Sequence, residues 1–164
     1  MGPMRLLALD LGDRTIGVAG CDELGLTTSP LYTIRRGRLD NDLDRILETA
    51  REREVERILV GLPVSMDGTE GERARKTRAF AVKLAARTAL PVILWDERLS
   101  TFEAESILRE SGVNWRKRKE LIDQVAAEVI LRSYLEAGCP DSDPEGPALP
   151  ATEEPREDAP KRKS

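Results

Sequence analysis

Arg5-Leu6-Leu7-Ala8-Leu9-Asp10-Leu11-Gly12-Asp13-Arg14-Thr15-Ile16-Gly17-Val18-Ala19-Gly20-Cys21 is the stretch whose reading decides the fold. The apolar run from Arg5 to Leu11 ends at Asp10 and Gly12 and reads as a buried strand. Gly12-Asp13 is a turn signal, and Thr15 to Cys21 follows as a second strand. Asp22 opens another turn, after which Leu24 to Ile34 offers a third strand. Strands joined this closely form an antiparallel meander.

Downstream the period changes. Leu39, Leu43, Ile46, Leu47 and Ala50 recur at helical spacing, with Asp40 or Asn41 able to cap the start. Arg57 to Gly61 lacks alternation and predicts a fourth strand buried on both faces. Glu70 to Thr88 predicts a helix with Ala74, Phe80, Ala81 and Leu84 inward, and Val92 to Trp95 a fifth strand after Pro91. Ser100-Thr101-Phe102-Glu103 is a capping box that opens a third helix, ended by Gly112. A last helix runs from about Lys119 to Ala137 and closes at Gly138. Strand–helix–strand units of this length require parallel pairing with right-handed crossovers. The expected product is an α/β fold, a mixed five-stranded sheet flanked by helices.

The 164 residues suffice for one domain with a real core, but not for two large lobes. Histidine is absent, which removes serine–histidine and cysteine–histidine triads, histidine-ligated zinc and imidazole bases together. Two cysteines, Cys21 and Cys139, build neither a zinc cluster nor a disulfide framework, so a reducing cytoplasm is the expected compartment. No apolar run approaches a membrane span, and no membrane partner is expected. Residues 1–3 read as an addition ahead of a native start at Met4. From Pro140 onward lie six of the 10 prolines and hardly any large apolar side chains, so residues 139–164 are expected to be a disordered acidic tail. That tail holds seven acids and four bases, which leaves the preceding chain with 23 acids and 22 bases. The domain expected over 4–138 is therefore almost neutral but locally basic. Arg73, Arg75, Lys76 and Arg78 form one cluster, Arg116-Lys117-Arg118-Lys119 a second, and Arg35, Arg36 and Arg38 a third. Each alone is as readily a solvated face; three on a domain with so few aromatics favour phosphate contact over base stacking.

Sites in open α/β sheets gather at the carboxyl ends of parallel strands. Asp10 ends strand one, Asp96-Glu97 ends strand five, and Gly61-Leu62-Pro63 leaves strand four. On the last helix Ile122, Val125, Ala126, Val129 and Ile130 mark the buried stripe, with Asp123 at its edge. Acids from three distant elements could thus converge. Such acids repel one another and resist burial unless a cation lies between them, and oxygen-only ligands suit Mg²⁺ or Mn²⁺. Paired ions of this kind support phosphodiester hydrolysis. The plainer alternative is that an Asp after a strand forms a turn or caps a helix, and that Asp123 is an ordinary boundary residue.

Four motifs occur in order: Asp10-Leu11-Gly12-Asp13-Arg14-Thr15-Ile16-Gly17-Val18-Ala19; Gly61-Leu62-Pro63 with Asp67-Gly68 and Gly71; Asp96-Glu97-Arg98-Leu99-Ser100-Thr101; and Asp123-Gln124-Val125-Ala126-Ala127 followed by Ile130-Leu131 and Tyr134-Leu135. Together, from Met4 to about Gly138, they resemble the YqgF/RuvX family of Holliday junction resolvases related to pre-16S rRNA processing nucleases. The resemblance implies a ribonuclease H-like fold and a metal-dependent endonuclease. It places catalytic, metal-binding acids on Asp10, Glu97 and Asp123, with Asp10 bridging two ions of Mg²⁺ or Mn²⁺. Arg14, Arg75, Lys76 and Arg98 would contact nucleic acid, while Gly12, Gly61 and Pro63 would shape the cleft. Arg14-Thr15 departs from the Lys-Arg pair usual in the family, and Arg132 stands where glutamine is common. Cys21 is expected to pack rather than react. The substrate expected is branched DNA, a four-way junction whose two symmetric strands imply a homodimer. The alternatives are the 5′ end of pre-16S rRNA as substrate, or a non-catalytic RNA-binding module in ribosome biogenesis. The first motif also resembles the phosphate loop of sugar kinases and actin-like ATPases, but those proteins clamp ATP between two lobes.

Overall fold

The computed structural model describes residues 4–22, 27–63, 70–96 and 115–140, the last segment with side chains from residue 122 onward. The elements are β1 (Leu6–Leu11), β2 (Thr15–Cys21), β3 (Thr28–Arg35), α1 (Leu39–Glu52), β4 (Arg57–Leu62), α2 (Glu72–Ala86), β5 (Val92–Asp96) and α3 (Trp115–Glu136). The strands form one sheet in the order β3-β2-β1-β4-β5. The meander β1-β2-β3 is antiparallel, and β4 and β5 add to β1 in parallel. This is the mixed, helix-flanked sheet expected from the sequence.

Side-chain alternation divides the core into two layers. Leu7, Leu9, Leu11, Ile16, Val18, Ile58, Val60, Leu62, Val92 and Leu94 pack with α1 and α2 through Leu43, Ile46, Phe80, Ala81 and Leu84. Leu6, Ala8, Ala19, Cys21, Leu59, Ile93 and Trp95 face the other way, against Ala127, Ile130, Leu131 and Tyr134 of α3. In the run Gly17-Val18-Ala19 the small residues Gly17 and Ala19 face α3 and Val18 the other layer, so α3 can come close to β2. At the far end of the sheet, Arg57 donates to the Tyr134 hydroxyl and to the carbonyls of Cys139 and Pro140. The described chain is thus pinned two residues beyond the boundary expected at 138.

Several element limits differ from the sequence expectation. α1 starts at Leu39 with Arg38 in the N-cap position and no side-chain cap, so neither Asp40 nor Asn41 caps it. Instead the buried Asp42 reaches back and accepts from the Gly37 N–H at 3.2 Å. α2 begins at Glu72 because Glu70 is drawn aside by Arg78, which donates to it from Nε and Nη2, each at 2.9 Å. α3 starts at Trp115, earlier than expected, because its first turn of Arg and Lys residues suits a helix as well as a loop. The start expected for β3 near Leu24, the helix expected over 100–112 and the tail from 141 lie outside the described residues.

Candidate active site

Asp10 is 4% exposed and sits near the carboxyl end of β1. Its register partner on β2 is Gly17, and registered antiparallel neighbours project to the same face. Since Ala8 and Ala19, the registered pair two positions along, pack under α3, alternation turns Asp10 and Gly17 toward α3 as well. On the other flank, the parallel register Leu9↔Val60 brings Gly61 of β4 alongside Asp10. A carboxylate in mid-sheet therefore stands between two glycines.

Asp123 of α3 is brought to the same place. A β-carbon on residue 17 would lie 2.0 Å from the Asp123 carbonyl oxygen and 2.9 Å from its Cβ, so the helix backbone occupies the space that Gly17 leaves open. The Thr15 hydroxyl, two residues along β2 on the same face, donates to Asp123 Oδ2. Asp10 and Asp123 thus share one face and one end of the sheet. Asp96 does not join them: alternation with Val92 and Leu94 assigns it to the α1/α2 layer. Glu97 and Arg98 lie outside the described residues, while Pro63 follows β4 half-buried. Among the described residues no group of three His, Cys, Asp or Glu is placed to hold a metal. The two carboxylates on this face supply hard oxygen donors, which fit Mg²⁺ or Mn²⁺ and not a thiolate- or imidazole-seeking ion.

The turn from β1 to β2 is built from its own backbone and two arginines. Gly12 N–H donates to the Thr15 carbonyl at 2.7 Å. Arg36 donates from Nη1 to the Gly12 carbonyl at 2.8 Å and from its N–H to the Arg14 carbonyl at 2.8 Å. Arg73 donates from Nη2 to the Leu11 carbonyl at 2.9 Å. Two members of the basic clusters are therefore spent on holding the turn. Arg78 is paired with Glu70, whose carboxyl its hydrogen bonds hold below the usual value, while the Arg78 guanidinium is raised in return. Lys76 meets Glu72 at 3.5 Å, with both side chains largely in solvent. Arg14 and Arg75 are exposed and have no ion-pair partner among the described residues. Lys76 also lines a gap of about 20 Å³ with Gly12, Asp13 and Arg73, room for about one water. The Arg116–Lys119 side chains are not among those described.

Cys21 is buried in the α3 layer, and burial pushes its thiol above the ordinary value, away from the reactive thiolate. Thr15, Gly17, Arg36 and Arg73 are the site residues to which sequence reading gave no such role. The signal available for Gly17 was the glycine itself in a strand interior, which marks a close approach of another backbone.

The profile of the RuvX family, described as Holliday junction resolvase, matches residues 4–137. A protein of Symbiobacterium thermophilum provisionally named pre-16S rRNA nuclease is 52% identical over 134 residues, covering 82% of this chain and 93% of that protein. A protein of Syntrophus aciditrophicus with the same provisional name is 50% identical, over 82% of this chain and 89% of its own length. Among solved structures, Thermus thermophilus RuvC in complex with a Holliday junction substrate superposes with a TM-score of 0.54 at 15% identity, covering 83% of this chain and 97% of that one. Fowlpox virus resolvase bound to Holliday junction DNA gives a TM-score of 0.50 at 12% identity, covering 84% and 100%. At such identities the likeness concerns the fold, and that fold is the ribonuclease H-like one.

Proposed function

The chain belongs to the RuvX family, and on that premise we propose that it is a Mg²⁺- or Mn²⁺-dependent endonuclease that hydrolyses nucleic-acid phosphodiesters at Asp10, Glu97 and Asp123. The observation that carries this is the placement of Asp10, buried in mid-sheet and sharing its face with Asp123 across Gly17. Asp10 is buried and Asp123 half-buried on one face; carboxylates so placed repel each other, and a cation between them would offset that cost. Asp10 would hold both ions, with Asp123 completing one side and Glu97 the other. Asp96 belongs to the opposite layer, which leaves Glu97 as the acid of that pair able to serve. When bound, divalent cations acidify a water and neutralise charge on the phosphate under attack.

The remaining roles belong to the chain's cations and glycines. Arg14 on the β1–β2 turn and Arg75 and Lys76 in the first turns of α2 stand in solvent, where they would contact substrate phosphates together with Arg98. Gly12, Gly61 and Pro63 line the way to Asp10, and the first two keep side chains out of it. Domain limits of 4–138, with the remainder as a tail, belong to the same proposal. So does a reducing cytoplasm as compartment, with which the free thiols of Cys21 and Cys139 agree. No helix among the described residues is long and apolar enough to cross a membrane.

A four-way DNA junction is the substrate we favour, in keeping with the family description. Its two equivalent strands call for a homodimer with one site per protomer. The names of the relatives near 50% identity favour a second reading, the 5′ end of pre-16S rRNA. Incubating a labelled junction and a labelled precursor RNA with the protein in Mn²⁺ separates the two. Paired symmetric nicks in the junction support resolution. Binding of the junction without nicks, together with trimming of the RNA, overturns it in favour of the RNA substrate.

A further inference from the structure

We infer that Thr15 is a positioning residue: its hydroxyl orients the Asp123 carboxylate for a divalent cation. This rests on the metal-dependent reading above and assigns a role to a residue that makes no contact with substrate in it. The main chain at Thr15 is fixed on both sides, by the Gly12 N–H bonded to its carbonyl at 2.7 Å and by its register with Arg35 of β3. A β-branched side chain on such a backbone has few rotamers, so the hydroxyl is held in place before Asp123 meets it. It donates to Asp123 Oδ2 over a sequence separation of 108 residues.

Positions 15 and 17 act on Asp123 from the same face of β2. Gly17 admits the Asp123 backbone, its absent β-carbon leaving the place 2.0 Å from the carbonyl oxygen. With the backbone seated, the carboxylate still has its side-chain torsions, and the hydroxyl removes that freedom by engaging Oδ2. Oδ1 is then the oxygen offered to a cation. A neutral donor suits this task better than a lysine or arginine would. It fixes the carboxylate without supplying a positive charge, so the full negative charge of Asp123 stays available to the metal. Because Asp123 is only half-buried, water can replace the lost donor in a variant, and the effect falls on orientation rather than on folding.

The test is a calorimetric titration of the full chain with Mn²⁺ alone, for wild type, Thr15→Val, Thr15→Ser, Asp10→Asn, Asp123→Asn and the double variant Thr15→Val/Asp123→Asn. Melting in EDTA runs alongside. Thr15→Val is expected to weaken Mn²⁺ binding about tenfold while melting near wild type, and Thr15→Ser to restore most of the affinity. In the Asp123→Asn background Thr15→Val should cost nothing further, since its effect passes through that carboxylate. Wild-type affinity in Thr15→Val, or a full additional loss in the double variant, overturns the positioning role. If Thr15→Val fails to fold, Thr15→Ala, which also removes the hydroxyl, takes its place in the two Asp123 backgrounds. Loss of binding in Asp10→Asn but not in Thr15→Val sinks this inference alone, whereas a wild type that binds no Mn²⁺ sinks the metal reading and this inference with it.

Discussion

At position 17 any side chain collides with the main chain of α3, the nearest atom being the Asp123 carbonyl oxygen at 2.0 Å. Gly17→Ala must therefore lift the helix or distort β2. The expected cost is about 1–3 kcal/mol, seen as a lower urea midpoint, together with weaker Mn²⁺ binding as Asp123 is displaced. An alanine variant within about 0.5 kcal/mol of wild type would show that α3 does not rest on β2 in this way. Cys21 gives a second expectation at this scale. Burial raises its folded thiol above the ordinary value of 9.0, so the unfolded chain gives up that proton first. Stability contributed by the neutral thiol is thus present below pH 9 and is lost as pH rises beyond it. Cys21→Ala should flatten the alkaline limb of the stability profile, and an unchanged limb would contradict the assignment. Asp10 was legible because its signal is local, an acid closing an apolar run. The pairing of Thr15 with Asp123 was not, since the partners are 108 residues apart and a threonine at a strand start has ordinary reasons to be there.

Helix α2 shows how a charge cluster that reads as a nucleic-acid surface becomes structure. Of the four cations in the cluster, Arg73 holds the Leu11 carbonyl, Arg78 is forked on Glu70, and Lys76 is beside Glu72. Sequence gives the number of cations but not their partners, because the carbonyl that Arg73 binds belongs to a turn 62 residues away. The Glu70–Arg78 pair is testable by pH. Its hydrogen bonds lower the folded Glu70 carboxyl from the ordinary 4.5, so the pair stabilises above that value and the gain disappears as pH falls through the lowered folded value. Glu70→Gln should cost no more than about 1 kcal/mol at pH 7, and the gap to wild type should close in acid. A gap that is the same at both pH values would mean that the carboxylate charge is not what matters. The start of α1 carries a similar lesson: Asp40 and Asn41 are good capping residues, yet the helix begins one residue earlier and Asp42 bonds back to Gly37 instead. Existence and type of each described helix were legible from its period, while its ends depended on contacts outside it.

The whole molecule is polar along its strands. The carboxyl end of β1 carries Asp10, Asp123 and the turn held by Arg36 and Arg73. The opposite end carries the Arg57 clamp on Tyr134, Cys139 and Pro140, so Pro140 is held at the end of the sheet away from the site. Removing residues 141–164 is accordingly expected to shift the melting temperature by less than about 2 °C and to leave cleavage intact. Faster cleavage after truncation would show that the acidic segment competes for the basic surface. The antiparallel meander and the parallel pairing of the later strands followed from connection lengths, whereas the place of β4 beside β1 and the close seat of α3 required the three-dimensional arrangement. On the function proposed above, the carboxylates perform chemistry rather than hold the fold. The most direct measurement is binding and cutting of one labelled substrate, in Mn²⁺, by wild type and Asp10→Asn side by side. Asp10→Asn is expected to melt no lower than wild type in EDTA and to bind the substrate within about threefold, yet to cut at least about a hundredfold more slowly. Cutting that survives the substitution, or that proceeds equally well in EDTA, would contradict it.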